Sequence, residues 1–293
     1  MTNEANLYCQ IKQYATELLS EYYQCKRISF ADAEDIKKSG KIKREPLPED
    51  EVKELAVKVT KAHLIPDEIN NARDIYRRLL ISGQNRNMMP NVIKFMECEQ
   101  EFKKILSGFD YLEISKVEPE KLLFEFKNFF KLSEKQIESK NNHPSLWKQY
   151  AEFVVSAAEF MTKNSPDYEK STFDKNIEKN KGDLSEAEYV KQEVSHIGYA
   201  LACDFLKEIG RDMAKPDVHI MAFLEQRFHE SFTEQEAIEQ IKKLSEGVTE
   251  DMENKVYALD KLIWLCCTGN FYKKNIKIKP KTLRDEFLET LQK

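Results

Sequence analysis

An aspartate and a histidine stand at the start of an apolar segment in the last third of the chain. The order is Pro216-Asp217-Val218-His219, and apolar residues recur as far as Phe228. An aspartate here suits the N-cap of a helix, because its carboxylate accepts hydrogen bonds from the first free amides. The same carboxylate, held at the mouth of a cleft, would stabilise positive charge that develops on a substrate and orient a water molecule. Asp217 therefore supports two interpretations, a helix cap and a catalytic group, and both can hold together.

Nineteen positions before Asp217, Gly198 lies in a predicted tight turn between two helices. One helix ends near Glu193, and a second helix rich in small residues follows the turn. Glycine suits a backbone that needs a positive φ or a close approach. The first amides of the second helix lack partners and lie at the positive end of its dipole, which predicts an anion site suited to a phosphate. A helical hairpin with a glycine turn is also a common structural element, so the turn alone leaves both interpretations open.

The hairpin and the aspartate together resemble the helix-hairpin-helix DNA glycosylase superfamily, which includes endonuclease III, the adenine glycosylase and the 8-oxoguanine glycosylase. Its members carry a hairpin similar to Leu-Pro-Gly-Val-Gly-x-x-x-Ala and, at a similar spacing, an Asp followed by a short x-His pair. Residues 197–202 (Ile-Gly-Tyr-Ala-Leu-Ala) match the hairpin. The spelling of Asp217-Val218-His219 is closest to the 8-oxoguanine branch.

Two further segments agree with this family in order and spacing. Residues 79–85 (LLISGQN) resemble its Leu-Leu-Ser-x-Gln stretch, and residues 264–270 (WLCCTGN) resemble its late helix ending in Trp-Leu-x-x-x-Gly. The resemblance thus runs from about residue 70 to residue 272 in three collinear pieces. It implies an all-α, two-lobed glycosylase fold with a cleft between the lobes.

By this resemblance, the chain flips a damaged or modified base out of double-stranded DNA and hydrolyses its N-glycosidic bond, with Asp217 as the catalytic carboxylate. The backbone of the turn would bind a phosphate beside the flipped nucleotide, through residues Ser195, His196, Ile197, Gly198 and Tyr199. Gln84 would fill the vacated space, although it can also be an ordinary loop residue after Gly83. Asn85, Arg86 and His219 would contact the DNA, but for His219 a structural role is equally supported.

Departures from the family pattern modify this expectation. Bifunctional members carry a lysine where this chain has Ala200, so the resemblance implies a monofunctional enzyme in which water attacks and AP lyase activity is doubtful. Lys215 is a less favoured, displaced candidate for a lyase nucleophile. The proline before the hairpin glycines is absent, and Ser195-His196 occupy that stretch. No iron–sulfur cluster, other metal or cofactor is expected, while a monovalent cation at the hairpin is left open.

Apolar residues recur at helical spacing through most of the chain, which predicts a predominantly α protein. The periodic segments lie near residues 5–24, 50–63, 67–82, 90–107, 119–130, 143–163, 233–245 and 253–267. Residues 26–50 and 164–184 are predicted to be looser. We expect an N-terminal extension over 1–65, a glycosylase core over 66–272 with its hairpin at 188–209, and a basic C-terminal segment over 273–293 that packs on the N-terminal lobe.

Composition limits the classes of function. The formal charge of −5, from 46 Lys and Arg against 51 Asp and Glu, is untypical of a protein that coats nucleic acid without specificity. The lysine-rich segment 273–281 is either a local binding patch or a solvated surface. Six scattered cysteines favour reduced, packed thiols over a disulfide framework or a zinc site. With no long apolar run and no signal peptide, we expect a monomeric intracellular protein of the nucleoid or the nucleus.

Alternatives from other classes stay open. A protein that keeps the hairpin but lacks catalysis would still bind DNA, whereas a helical interaction scaffold would fit the negative net charge. The aromatic run 122–130 is interpreted as an apolar core face rather than a base-stacking platform. Trp147 and Trp264 are candidates for a base pocket, with core packing the commoner explanation.

Overall fold

A computed structural model describes residues 3–26, 48–86, 89–138, 144–278 and 282–291 of the chain. These residues are mostly helical, which confirms the all-α prediction. The helices are α1 (Asn3–Lys26), α2 (Glu49–His63), α3 (Ala72–Gln84), α4 (Met89–Val92), α5 (Glu99–Ile105), α6 (Tyr111–Ile114), α7 (Pro119–Phe130), α8 (Glu134–Ile137), α9 (Leu146–Asn164), α10 (Lys170–Asn180), α11 (Glu186–Glu193), α12 (Tyr199–Glu208), α13 (Val218–Phe228), α14 (Glu234–Ser245), α15 (Lys255–Thr268) and α16 (Leu283–Thr290). A short antiparallel pair, β1 (Asn270–Phe271) and β2 (Ile276–Lys277), follows α15. None of the described helices combines the length and apolarity needed to cross a bilayer.

The chain divides into two compact units. The terminal unit contains Met1–Pro66 and Asp212–Lys293, and the central unit contains Asp67–Arg211. The three-part division predicted from the sequence, at residues 65 and 272, rests on the family resemblance and stays a prediction.

The terminal unit is built around α15. Nearly every position from Val256 to Cys267 is buried, as expected for a helix that is apolar on all sides and surrounded by other elements. Helices α1, α13, α14 and α16 pack against it. At the C-terminal end of the chain, the ring of Phe287 in α16 lies 5.1 Å from that of Tyr14 in α1. This packing places α13, and with it Asp217, against the core of the terminal unit.

The central unit is built around α9, which packs against α3, α6, α7 and α10. Its buried side carries Trp147, Tyr150 and Phe153, and the first two belong to an aromatic cluster around Phe102. Trp147 is therefore a core residue. A Cβ on Gly83 would lie 2.0 Å from Cζ of Phe153, so the absence of a side chain at Gly83 lets α3 approach α9. Close packing against α9, rather than a positive φ at the end of α3, explains this glycine.

Several predicted elements differ from the observed ones. The predicted helix 90–107 is interrupted, because Lys94 has a φ of +53° and a left-handed residue ends the right-handed helix there. The predicted loose stretch 164–184 contains α10, whose Phe173 and Ile177 are buried one turn apart. The other predicted loose stretch, 26–50, lies for the most part outside the described residues. In α7, Leu122 and Phe126 form the expected core face, whereas Phe124 and Phe129 are exposed.

Candidate functional site

The helical hairpin lies within the central unit and consists of α11, a short turn and α12. The turn adopts its left-handed conformation at His196, with a φ of +62°, and Gly198 has a φ of −94°. Of the two uses expected of Gly198, a positive φ and a close backbone approach, the structure excludes the first. Histidine is among the residues that occupy the left-handed region more often than most, so His196 suits this position of the turn.

Gly198 is the N-cap of α12 and leaves the start of that helix without a side-chain cap. Among the described residues, nothing accepts a hydrogen bond from the amides of His196, Ile197, Gly198 and Ala200. A Cβ on Gly198 would meet no atom within 4 Å, so none of the described residues requires a glycine there. By contrast, Ser185 caps α11 and Thr233 caps α14 with their own hydroxyls. The start of α12 is thus exposed and rich in unused donors, as an anion site requires.

The other residues predicted in the turn are Ser195, Ile197 and Tyr199. Ser195 is exposed, but its amide donates to Oγ of Ser156 over 2.9 Å, so it is already used within the chain. Ile197 is buried and anchors the turn in the core, and Tyr199 is the first residue of α12. A cavity of about 300 Å³ adjoins this turn, with Glu152, Ser156 and Ser195 in its wall.

His196 joins the turn to the second predicted DNA-binding segment. Its Nε2 lies 2.6 Å from Oε2 of Glu152, and its Nδ1 lies 3.2 Å from Nη1 of Arg86. The same Nη1 donates to Oε1 of Gln149 over 2.6 Å. The structure therefore brings Arg86 and the hairpin turn together. Sequence reasoning missed Gln149 and Glu152, although they lie three positions apart on the polar side of a helix it predicted.

Gln84 is not the loop residue that one sequence interpretation predicted. It is the last residue of α3 and only 5% exposed, so it is not a loop residue, and its Oε1 accepts a hydrogen bond from the amide of Phe95 over 2.8 Å. Filling a gap in DNA would require this side chain to leave its present site. Asn85 is the exposed residue of the segment, and its Nδ2 donates to Oδ2 of Asp204 over 3.3 Å.

Asp217 is the N-cap of α13 in the terminal unit. Its Oδ1 accepts hydrogen bonds from the amides of His219 and Ile220, over 2.9 and 3.3 Å. Its Oδ2 lies 3.9 Å from Nζ of Lys215. The backbone of Lys215 is fixed in turn, because its amide donates to Oδ1 of the buried Asp260 over 2.7 Å. The cap interpretation is confirmed, and Oδ2 is left to act on something other than the helix.

His219 is half-buried directly after this cap. Burial lowers the pKa of its imidazole, and the cations Arg284 and Lys215 lower it further, against the opposing effect of Asp217. Its Nδ1 has no hydrogen-bond partner among the described residues. A lowered pKa favours a neutral ring at pH 7, so His219 is suited to hydrogen bonding rather than to acting as a cation.

The remaining candidates have structural explanations. Part of the lysine-rich segment is used within the terminal unit, since Nζ of Lys273 donates to the carbonyl of Ile65 over 2.7 Å. The last residues of that segment, 279–281, lie outside the described residues. The buried thiol of Cys267 has its pKa raised by burial to about 12, so it is not a nucleophile at neutral pH. Trp264 is half-buried, with its ring 6.0 Å from that of Tyr272.

Comparisons with known proteins give one structural similarity. No protein-family model matches the chain, and no curated protein matches it. The 8-oxoguanine glycosylase/lyase of Methanocaldococcus jannaschii, solved in complex with a 15mer DNA containing 8-oxoguanine, is similar over 74% of this chain and 93% of that one. The sequence identity is 18% and the TM-score 0.44.

Proposed function

We propose that the chain is a DNA glycosylase of the helix-hairpin-helix type that removes a damaged or modified base from double-stranded DNA by hydrolysis. The observation that carries the proposal is the uncapped start of α12, where the amides of His196, Ile197, Gly198 and Ala200 lack acceptors among the described residues. The partner is a lesion-containing duplex, bound by a monomer without a cofactor in the nucleoid or the nucleus. A monovalent cation bound by the hairpin is compatible with this proposal.

The hairpin binds a phosphate of the DNA backbone. The free amide groups at the start of a helix lie at the positive end of the helix dipole. They bind an anionic oxygen without any charged side chain. The net charge of the chain is negative, so its overall charge does not attract DNA. It binds DNA through backbone amides at the hairpin and through the nearby Arg86. The extruded nucleotide lies next to the bound phosphate.

Asp217 supplies the chemistry. Breaking an N-glycosidic bond develops positive charge on the sugar and negative charge on the departing base, so a fixed carboxylate beside the sugar lowers the barrier. The two amides that bind Oδ1 hold the group in one orientation, and Oδ2 stabilises the oxocarbenium-like state or orients the attacking water. Its place at a helix start therefore preorganises the group instead of competing with catalysis.

Water, rather than an amine, attacks the sugar. Ala200 occupies the first turn of α12 and offers no amine to form a Schiff base. Lys215 carries an amine near Asp217, and a covalent adduct trapped by borohydride would identify it as a lyase nucleophile. We expect no such adduct with the wild-type protein.

A DNA-binding protein without catalysis is the second candidate. The capping bonds of Asp217 favour it, because they account for this aspartate without any reaction. Excision activity separates the two candidates, since both bind duplex DNA and only the first releases a base.

The test is a panel of duplexes that each carry one lesion: 8-oxoguanine, uracil, an alkylated adenine or a mismatch. We expect release of a base from at least one of them and a loss of about 100-fold or more in Asp217→Asn. Asparagine keeps the cap but removes the charge. Asp212→Asn is the matched control, because Asp212 also binds two helix-start amides, those of Val256 and Tyr257. Equal excision by Asp217→Asn and the wild type would exclude Asp217 from the mechanism.

A further inference from the structure

Three polar residues on one face of α9 contact the two segments assigned to DNA binding. Gln149, Glu152 and Ser156 are spaced by three and four positions, so they project from the same side of the helix. Gln149 accepts from Arg86, Glu152 binds His196, and Ser156 accepts from the amide of Ser195. This polar stripe, with all its partners, lies within the central unit.

The partners of His196 define the tautomer of its ring. A guanidinium has only donors, so Nδ1, which lies 3.2 Å from Nη1 of Arg86, must accept. The proton of a neutral ring then sits on Nε2 and is donated to Oε2 of Glu152 over 2.6 Å. Glu152 stabilises this tautomer, because a carboxylate is purely an acceptor. Through the ring, Glu152 therefore determines whether Nδ1 is able to bind Arg86.

Arg86 keeps unused donors in this arrangement. Its Nη1 is bound to both Gln149 and His196, while Nε and Nη2 have no partner in the part of the chain that the structure describes. A guanidinium edge with two parallel donors suits a phosphate, and its rigid fork loses less freedom when one end is already held.

We infer that Glu152 is a positioning residue for DNA binding, which acts through the His196 ring to fix the Arg86 guanidinium beside the hairpin turn. The inference rests on the proposed function, because it concerns the binding of a DNA phosphate. It adds a residue on α9 whose charge has the wrong sign for DNA and whose effect is indirect.

The sign of the effect separates positioning from simple electrostatics. A carboxylate near bound DNA repels phosphate, so its removal should tighten binding if Glu152 acts only by charge. If Glu152 positions Arg86, its removal should weaken binding. Glu159 is the matched control, since it lies two turns further along α9 and is exposed. Glu159→Gln should leave the affinity unchanged or raise it slightly.

The experiment measures the affinity of a short undamaged duplex by fluorescence anisotropy. We expect Glu152→Ala and Arg86→Gln each to weaken binding by about three- to tenfold, the net size of one typical hydrogen bond. The double variant should be no weaker than Arg86→Gln alone, because Glu152 acts through Arg86. In a His196→Gly background, which permits the positive φ without the ring, Glu152→Ala should have no effect.

Two further measurements keep the result interpretable. Glu152→Gln retains an acceptor oxygen and the shape of the side chain, so it serves if Glu152→Ala does not fold. An affinity of Glu152→Gln above that of the wild type would overturn the inference, and one at or below it would support the inference. Nitrogen NMR of the free protein should find the proton of His196 on Nε2, and a proton on Nδ1 would overturn the inference without any DNA.

The outcomes also separate this inference from the proposed function. A wild-type protein that binds no duplex would overturn the proposed function, whatever the NMR result. A wild-type protein that binds duplex, with additive effects of Glu152→Ala and Arg86→Gln, would overturn the positioning role alone.

Discussion

Two helix starts in this protein treat their free amides in opposite ways. At α13, Asp217 turns its own carboxylate back onto the amides of His219 and Ile220. At α12, Gly198 has no side chain to offer, and the amides of His196, Ile197, Gly198 and Ala200 have no acceptor among the described residues. Both starts have an extended N-cap residue, with φ near −90° and ψ near 180°, so backbone geometry does not explain the contrast.

The contrast shows that the residue at the N-cap determines whether the first amides of a helix contribute to stability or are available to bind a ligand. A side-chain cap contributes about 1 kcal/mol to stability, and a glycine cap contributes less. An uncapped start keeps its donors for a ligand, whereas a capped start uses its donors to orient the capping group. In the proposed enzyme, the first arrangement binds phosphate and the second holds the catalytic carboxylate.

The largest expected effect comes from giving α12 the same kind of N-cap residue as α13. Gly198→Asp places a carboxylate where the φ is normal and where a Cβ meets no neighbour. We expect it to cap α12 and to repel phosphate, so the affinity for duplex DNA should fall by about tenfold or more. Gly198→Ala, which adds neither cap nor charge, is the control for the added Cβ. Unchanged DNA affinity in Gly198→Asp would mean that this helix start does not bind phosphate.

The reverse change removes the cap from α13. Asp217→Ala should lower the free energy of unfolding by about 1 kcal/mol, and Asp217→Asn should leave it nearly unchanged because asparagine caps equally well. Urea denaturation followed by circular dichroism measures both. The comparison would fail if the alanine variant were as stable as the wild type, since the bonds to His219 and Ile220 would then contribute nothing.

The smallest expected effect concerns the histidine at the start of α13. Because burial lowers the pKa of His219 from 6.5, the unfolded chain binds a proton at a higher pH than the folded chain does. The contribution of neutral His219 to stability is thus complete above about pH 6.5 and is lost as the pH falls below it. His219→Gln should flatten this part of the stability profile, with His229→Asn at the exposed end of α13 as the control. An unchanged slope in His219→Gln would show that its ring titrates alike in both states.

Features that depend on a few consecutive residues were predictable. The cap formed by Asp217 follows from an aspartate after a proline, and the helical hairpin follows from a glycine turn between a helix end near Glu193 and a segment rich in small residues. The left-handed conformation of His196 in that turn was not predictable, because Gly198 lies two positions later and glycine is the commoner residue in that conformation. The burial of Gln84 was also missed, since its partner Phe95 lies beyond a second helix start.

The sequence by itself determined that this protein is helical, where most helices lie, and which aspartate caps α13, because periodicity and capping act within one or two turns. Only the tertiary structure decided that Glu152, His196 and Arg86 meet. Glu152 lies 44 positions and Arg86 110 positions before His196, and the three come together only when α9 packs in the central unit. It also decided that Gly83 serves close packing against Phe153, which is 70 positions away. Such contacts depend on which faces of distant helices are buried together, and no short stretch of sequence contains that information.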